Sequence, residues 1–146
     1  MNLEVDEKKE SNNEDFIVGK HVYGNLYGLQ PSIAEDEELV RQAVFDAVKA
    51  ANATLIQLMS WKIPGIKGGV SVIALVNESH IAVHTWTEYK YATVDVYTCG
   101  AHTNPEKAFK LIVERLKPEY YSYNYADRTQ LLASSPVKKE AISLKL

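Results

Sequence analysis

A short stretch of the sequence places a hydroxyl group, two imidazoles and the chain's single thiol close together. Ser79 directly follows Glu78, His80 and His84 come next, and Cys99 is the only cysteine. A serine can attack the carbonyl carbon of the residue before it, which converts the peptide bond into an ester. Removal of the serine Cα proton, elimination of the ester and hydrolysis then leave a pyruvoyl group. The pattern therefore predicts that the chain cleaves itself between Glu78 and Ser79.

Self-cleavage of this kind needs a base and hydrogen-bond donors for the oxyanion that forms on the carbonyl. Imidazole has a pKa suited to proton transfer near neutral pH, and we predict that His84 is the base. Ser71, on the preceding apolar segment, is predicted to assist as a hydroxyl donor. A pyruvoyl carbonyl can condense with a substrate amine and take up the electrons released with CO2. The carbon left behind must be protonated, and Cys99 is predicted to donate that proton.

Each of these residues also has a simpler interpretation. A serine in a strand is usually structural, a single histidine is usually hydrogen-bonded in a core or at a surface, and Cys99 could be a small buried apolar side chain. Asp95 could be solvated or could pair across strands. His80, His84 and Cys99 leave a zinc site one ligand short, so no metal is predicted. Cys99 with His84 or His102 could form a hydrolase site, but no nucleophile turn or oxyanion loop is visible.

Composition restricts the class of protein. The chain has 146 residues and a net charge of −3, with no basic stripe that would predict a nucleic-acid partner. The longest apolar stretch, residues 70–76, is too short to span a bilayer, so no membrane partner is predicted. The acidic start differs from a secretory signal, and one cysteine cannot form an internal disulfide. These features predict a cytoplasmic protein that folds without a metal or disulfide.

The hydrophobic pattern predicts one domain between two tails. Residues 1–16 are acidic and poor in apolar groups, which predicts disorder, and residues 133–146 are predicted to be a second tail. Residues 17–132 are predicted to form the domain. Its predicted strands and helices span 21–29 (β), 36–51 (α), 54–63 (β), 70–77 (β), 80–86 (β), 91–98 (β), 105–117 (α) and 120–125 (β). This β-α-β-β-β-β-α-β order predicts an α/β fold of the α+β type, a two-layer sandwich of an antiparallel sheet and two helices.

Local patterns refine this picture. Ser32 and Glu35 predict a capping box before the first helix. Alternation along the strand that ends near Cys99 places Asp95 and Cys99 on a polar face and the apolar residues on the face that meets the helices. Ser79 lies an odd number of residues from the predicted base, so a strand end, bulge or break is predicted there. The aromatic face away from the helices is predicted to be covered by a second subunit.

At these residues the sequence resembles the pyruvoyl-dependent S-adenosylmethionine decarboxylase family in its short prokaryotic form. The resemblance runs from about Val18 to Arg128 and leaves both tails uncovered. It is carried by Gly19-Lys20-His21-Val22, Gly69-Val70-Ser71-Val72, Glu78-Ser79-His80-Ile81, His84-Thr85-Trp86, Glu88-Tyr89 and Asp95-Val96-Tyr97-Thr98-Cys99-Gly100.

This resemblance implies a role for each matching residue. Ser79 becomes the pyruvoyl group and forms the Schiff base with substrate, His84 is the processing base, Ser71 assists processing, and Cys99 is the proton donor. Cleavage gives a β chain of residues 1–78 and an α chain of residues 79–146. The implied cofactor is the pyruvoyl group alone, with no metal and no pyridoxal phosphate. The family forms at least a dimer of such αβ pairs.

The wider pattern is most similar to the crenarchaeal branch of that family, which decarboxylates arginine to agmatine for polyamine biosynthesis. Thr87 stands where the family usually has proline, and Tyr27-Gly28-Leu29 lacks a cysteine often found there. A guanidinium group needs a carboxylate fork, and Glu88 and Asp95 are the predicted substrate-binding candidates. The alternatives are a decarboxylase of S-adenosylmethionine with the same mechanism, and an inactive paralogue that activates a true decarboxylase.

Overall fold

The computed structural model describes residues 15–132. The predicted tails, residues 1–16 and 133–146, lie outside the described residues except for Asp15 and Phe16. The elements in chain order are β1 (Gly19–Tyr27), α1 (Pro31–Ala34), α2 (Glu37–Ala50), β2 (Leu55–Ile63), β3 (Gly69–Val76), β4 (Ser79–Trp86), β5 (Tyr91–Cys99), α3 (Pro105–Leu116), β6 (Tyr120–Tyr121) and β7 (Asn124–Asp127).

All the strands belong to one antiparallel sheet, in the order β2-β3-β4-β5-β1-β6, and β7 also pairs with β1. The predicted α+β sandwich is therefore confirmed. The short helix α1 was not predicted, and the last predicted strand is divided into β6 and β7. The pairing with β1 is interrupted at Ser122 because its Oγ, and not a backbone carbonyl, accepts the Asn25 N–H. The Ser122 carbonyl also comes so close to Gly24 that no side chain would fit at residue 24.

The two long helices begin at side-chain caps. Asp36 accepts the Leu39 N–H at the start of α2 at 3.1 Å, so the predicted capping box of Ser32 and Glu35 is wrong, and Ser32 lies inside α1. At the start of α3, Asn104 Oδ1 accepts the Lys107 N–H at 3.1 Å, and Pro105 occupies the first helical position. Asp and Asn at such positions satisfy helix N–H groups that have no other partner.

The hydrophobic core lies between one face of the sheet and helices α2 and α3. Its sheet layer includes Val22, Val83 and Val96, and its helix layer includes Val44 and Phe109, all fully or nearly fully buried. Along β5 the buried and half-buried residues alternate, which confirms the predicted division of its faces. The site residues of β5 therefore lie on the face that the helices do not cover.

This open face of the sheet carries many exposed large apolar side chains. Met59 and Leu75 are each 48 % exposed, Trp61 is 44 % exposed and Tyr23 is 39 % exposed. A patch of this kind is typical of an interaction surface. In the part of the chain that the structure describes, no helix is long and apolar enough to cross a membrane.

The placement of the core is tested by Phe109→Ala. Phe109 is fully buried, so removal of its ring is expected to lower the free energy of unfolding by about 3–5 kcal/mol. Phe45→Ala is the matched control, because Phe45 on α2 is only half-buried and its loss is expected to cost less. Urea denaturation measures both. Equal losses in the two variants would contradict the placement of Phe109 in the core.

Candidate active site

Ser79 lies at a tight hairpin between β3 and β4. Val76 pairs with Ser79, so only Asn77 and Glu78 form the loop. The φ angle of Ser79 is +138°, a conformation that residues with a side chain rarely adopt. The predicted break in strand geometry at this residue is therefore confirmed. Backbone strain of this kind costs on the order of 1–3 kcal/mol and clusters at functional sites.

The strained backbone coincides with an unusual direction of the Ser79 side chain. Ser79 pairs with Thr98, which is fully buried, so regular alternation would direct both side chains toward the core. Instead, Ser79 Oγ lies 3.5 Å from Cys99 Sγ. The two residues predicted to become the cofactor and the proton donor are thus in contact.

The carbonyl of the predicted cleavage site already has a hydrogen-bond donor. Cys99 donates its backbone N–H to the Glu78 oxygen at 2.8 Å. An attack by Ser79 would develop negative charge on this oxygen, and a donor already in place stabilises such charge. The sequence indicated a hydroxyl donor, Ser71, but no side-chain pattern could reveal a backbone donor that depends on the pairing of β4 with β5.

The Glu78 side chain is largely buried although it belongs to a hairpin loop. Its carboxylate accepts the Thr54 N–H at 2.9 Å and lies 3.1 Å from His102 Nε2. Burial acts to raise the pKa of the Glu78 carboxyl, but the hydrogen bonds from Thr54 and His102 outweigh it and lower the pKa. Glu78 is therefore held as a carboxylate beside the bond that is predicted to break.

His84 and Ser71 form a second pair, on neighbouring strands. They are direct partners in the β3–β4 register, and Ser71 Oγ lies 2.8 Å from His84 Nδ1. The pair is distant from Ser79 of the same chain, because five residues of a strand at about 3.3 Å each separate Ser79 and His84 by roughly 16 Å. The break at Ser79 changes where its side chain points but does not shorten this distance. Within one chain the predicted site is therefore divided into two separate pairs, Ser79 with Cys99 and Ser71 with His84.

Asp95 and two histidines, His21 and His80, form a cluster on the open face. The two carboxylate oxygens of Asp95 lie 2.6 Å from His21 Nε2 and 3.1 Å from His80 Nε2. The Asp95 side chain is 40 % exposed, so part of it faces solvent. Asp95 pairs with Ala82, three residues along β4 from Ser79, which corresponds to about 10 Å.

Tyr97 connects this cluster to the thiol. The pKa of the Tyr97 hydroxyl is raised, first by hydrogen bonding with the Cys99 side chain, then by burial and by the charge that Cys99 carries when it ionises. The Arg128 guanidinium lies 4.2 Å from the centre of the Tyr97 ring and acts to lower the pKa. Sequence reasoning placed Tyr97 on the correct face but assigned no role to it, to His21 or to Arg128. These contacts join strands far apart in the chain.

Glu88 lies at the opposite end of β4 from Ser79, in the turn that leads to β5. It lines a cavity of about 230 Å³ with Lys62, Pro64 and Thr87. A separate cavity of about 240 Å³ reaches Glu78 and Cys99 and is bordered by residues 16–18. Within residues 15–132, no group of three or more His, Cys, Asp or Glu side chains is arranged to hold a metal ion.

Comparison with known proteins identifies the relatives of this chain. The family described as S-adenosylmethionine decarboxylase matches residues 20–129. The chain is 59 % identical over 117 residues to the arginine decarboxylase proenzyme of Aeropyrum pernix, covering 80 % of this chain and 89 % of that protein. It is 58 % identical over 117 residues to the arginine decarboxylase proenzyme of Hyperthermus butylicus, covering 80 % of this chain and 82 % of that one.

A solved structure extends the similarity to the fold. The adenosylmethionine decarboxylase from Aquifex aeolicus VF5 superposes with a TM-score of 0.72 at 32 % identity, covering 82 % of this chain and 98 % of that one. The family match covers most of the chain, and the relatives are similar over most of their own length. The chain therefore belongs to the S-adenosylmethionine decarboxylase family.

Proposed function

We propose that this chain is a self-processing, pyruvoyl-dependent arginine decarboxylase that forms agmatine and CO2 for polyamine biosynthesis. The observation that carries the proposal is the strained Ser79, whose hydroxyl contacts the Cys99 thiol while the preceding carbonyl accepts the Cys99 N–H. Crenarchaeal relatives at 54–59 % identity bear the name arginine decarboxylase proenzyme and support arginine as substrate. The single cysteine fits a reducing compartment, and we place the enzyme in the cytoplasm.

Processing begins when Ser79 Oγ attacks the Glu78 carbonyl carbon and the peptide C–N bond breaks. The base takes the hydroxyl proton and delivers it to Ser79 N as the C–N bond breaks, which leaves a free amine on Ser79 and an ester between the two residues. The Cys99 N–H stabilises the oxyanion of this step. Loss of the Ser79 Cα proton expels Glu78 as a carboxylate, and addition of water releases ammonia and leaves the pyruvoyl group. Breaking the bond also relieves the strained φ angle, which favours the forward direction.

The surroundings of Ser79 fit the pyruvoyl group that this route would form. A thiol lies beside the serine, a backbone donor faces the preceding carbonyl, and a cavity reaches both Glu78 and Cys99. The pyruvoyl group supplies a carbonyl that accepts the electrons left when CO2 departs. Cys99 Sγ is the group positioned to donate a proton to the substrate α-carbon. The proposal requires no metal and no pyridoxal phosphate.

We assign the processing base to a second copy of the chain. His84 is about 16 Å from Ser79 of its own chain, estimated from the rise per residue of a strand, so it cannot take the proton there. Two copies that pack their open faces against each other in opposite directions would bring His84 and Ser71 of one copy to Ser79 of the other. The exposed Met59, Trp61 and Leu75 on this face would be buried in the same contact. The active form is therefore proposed to be at least a dimer of αβ pairs.

In this arrangement the two carboxylates assigned to the guanidinium would come from different copies of the chain. Glu88 lies in the turn that follows β4, so it would belong to the same copy as the His84 that acts at the site. Asp95 of the first copy retains acceptor capacity, because a carboxylate has about four lone-pair positions and the two histidines use two of them. A planar guanidinium suits bidentate contacts with such groups.

Decarboxylation of S-adenosylmethionine is the second candidate function. The structural similarity to the adenosylmethionine decarboxylase from Aquifex aeolicus favours it. Arginine and S-adenosylmethionine both present an α-amino acid to the same core residues. The choice between them must therefore depend on contacts with the guanidinium or the sulfonium nucleoside at the other end of the substrate.

The first prediction concerns self-cleavage. Purified wild-type protein is expected to contain chains of residues 1–78 and 79–146, and Ser79→Ala is expected to remain one chain because no nucleophile is left. Intact mass spectrometry measures both. Ser32→Ala, at an exposed position on α1, is the control and is expected to cleave normally. A wild-type chain that stays intact on incubation would support the inactive paralogue instead.

The second prediction concerns Cys99→Ala. This variant keeps the backbone N–H that faces the Glu78 carbonyl, so it is expected to cleave. It loses the thiol, so release of CO2 from arginine is expected to fall by about 10²–10⁴-fold, the usual contribution of a general acid. Labelled CO2 measures turnover. Normal turnover by the cleaved variant would show that Cys99 is not the proton donor. If the wild type decarboxylates S-adenosylmethionine but not arginine, the choice of substrate would be reversed.

The third prediction tests the exchange of residues between copies. His84→Ala alone is expected to stay uncleaved, but co-expression with Ser79→Ala is expected to restore its cleavage because that partner supplies an intact His84. The control partner is the Ser79→Ala/His84→Ala double variant, which is expected to restore nothing. Mass spectrometry of differently tagged chains distinguishes them. Mixed dimers in which the His84→Ala chain stays intact would contradict the assignment of the base to a second copy.

A further inference from the structure

The Glu78 side chain is fixed from two sides. One carboxylate oxygen accepts the Thr54 N–H at 2.9 Å, and the other lies 3.1 Å from His102 Nε2. Only 12 % of the Glu78 side chain is exposed. A glutamate in a two-residue hairpin loop would ordinarily extend into water, and burial of a carboxylate is unfavourable unless it is paired. These two partners therefore determine where the side chain lies.

The backbone around Glu78 is held by the same neighbours. Asn77 donates its N–H to the Thr54 carbonyl at 2.8 Å, so Thr54 contacts both residues of the hairpin loop. The Glu78 carbonyl accepts the Cys99 N–H at 2.8 Å. With its side chain and its carbonyl both fixed, Glu78 has little freedom to rotate, and the next residue, Ser79, is left in its strained conformation.

Two neighbouring residues, Gly100 and Asn52, fix the position of His102. Gly100 has a φ angle of +101°, and a Cβ atom there would lie 2.7 Å from His102 Cε1, so only glycine leaves room for the ring. Asn52 donates its side-chain N–H to the His102 carbonyl at 3.0 Å. His102 is three residues beyond Cys99, so the segment that carries the thiol turns back onto the cleavage site.

We propose that His102 is a positioning residue for self-cleavage, which it promotes by holding the Glu78 carboxylate so that the Glu78 carbonyl faces the Cys99 N–H. This role rests on the self-processing proposed above. His102 contacts Glu78 and not Ser79, so it acts through the residue on the amino-terminal side of the bond. After cleavage the same contacts hold the new carboxyl terminus of the β chain at residue 78.

The test compares rates of self-cleavage in freshly synthesised precursors, followed by intact mass spectrometry. His102→Ala is expected to slow cleavage at least tenfold. His102→Gln retains an N–H donor for the carboxylate and is expected to recover most of the rate, and free imidazole is expected to accelerate His102→Ala. Lys110→Ala is the matched control, because it breaks an exposed ion pair with Glu106 and is expected to cleave within twofold of wild type.

A second measurement separates positioning from stability. In the uncleavable Ser79→Ala background, adding His102→Ala is expected to leave the midpoint of thermal unfolding unchanged within about two degrees, because the His102 side chain is 51 % exposed and the Thr54 N–H still pairs with the Glu78 carboxylate. A large fall in the midpoint, with no recovery by glutamine or imidazole, would assign His102 a structural role and overturn the inference. Normal cleavage by His102→Ala would overturn it while leaving the proposed function intact. Absence of cleavage in wild type would overturn both.

Discussion

The hydrogen bond from the Cys99 N–H to the Glu78 carbonyl is the contact on which the site depends. It extends the pairing of β4 and β5 to the hairpin, with Ser79 opposite Thr98. A shift of one residue in this register would turn the Cys99 side chain toward the core and remove the donor from the carbonyl. The hydrophobic pattern of β5 opposes such a shift, because Val94 and Val96 would then leave the core. The core thus stabilises the geometry of the reacting groups.

The sheet has two faces with different tasks. The helices cover the face that forms the core, and every group assigned to the chemistry lies at the edge or on the surface of the other face. Because a reaction site needs access, this second face is left without helices and carries apolar side chains at its surface. The proposed dimer reconciles these requirements, since a second sheet would bury those side chains and complete the site.

Proximity in the chain is a poor guide to proximity in space along an extended strand. Ser79 and His84 belong to the same short motif, yet a strand rises about 3.3 Å per residue and carries them far apart. Thr54, Tyr97 and Arg128 are distant from that motif in the sequence, and the fold brings them around the Glu78–Ser79 bond and the thiol. Residues that are distant in the sequence are therefore neighbours in the structure, and residues of one short motif are not.

Local patterns were sufficient for most of the fold. Hydrophobic periodicity predicted the strands and both long helices, and alternation predicted which residues of β5 face the core. The break at Ser79 was predicted from the odd number of residues between Ser79 and His84, on the premise that both act within one chain. The break is present, but His84 lies too far from its own Ser79 for that premise to hold. The cap of α2 was missed because Asp36 and the Ser32–Glu35 pair offer similar local signals. The division of the last strand was missed because it depends on the close approach of Ser122 to β1.

The sequence by itself determined the types of group available for the chemistry: a serine after a glutamate, imidazoles and one thiol. Only the tertiary structure decided which of them meet. The Cys99 N–H faces the Glu78 carbonyl because of strand register, and His102 reaches Glu78 because Gly100 allows a turn. His84 pairs with Ser71 and lies roughly 16 Å from its own Ser79. Side-chain chemistry and local periodicity can be read from the residues, whereas register and long-range contacts arise from the packing of the whole sheet.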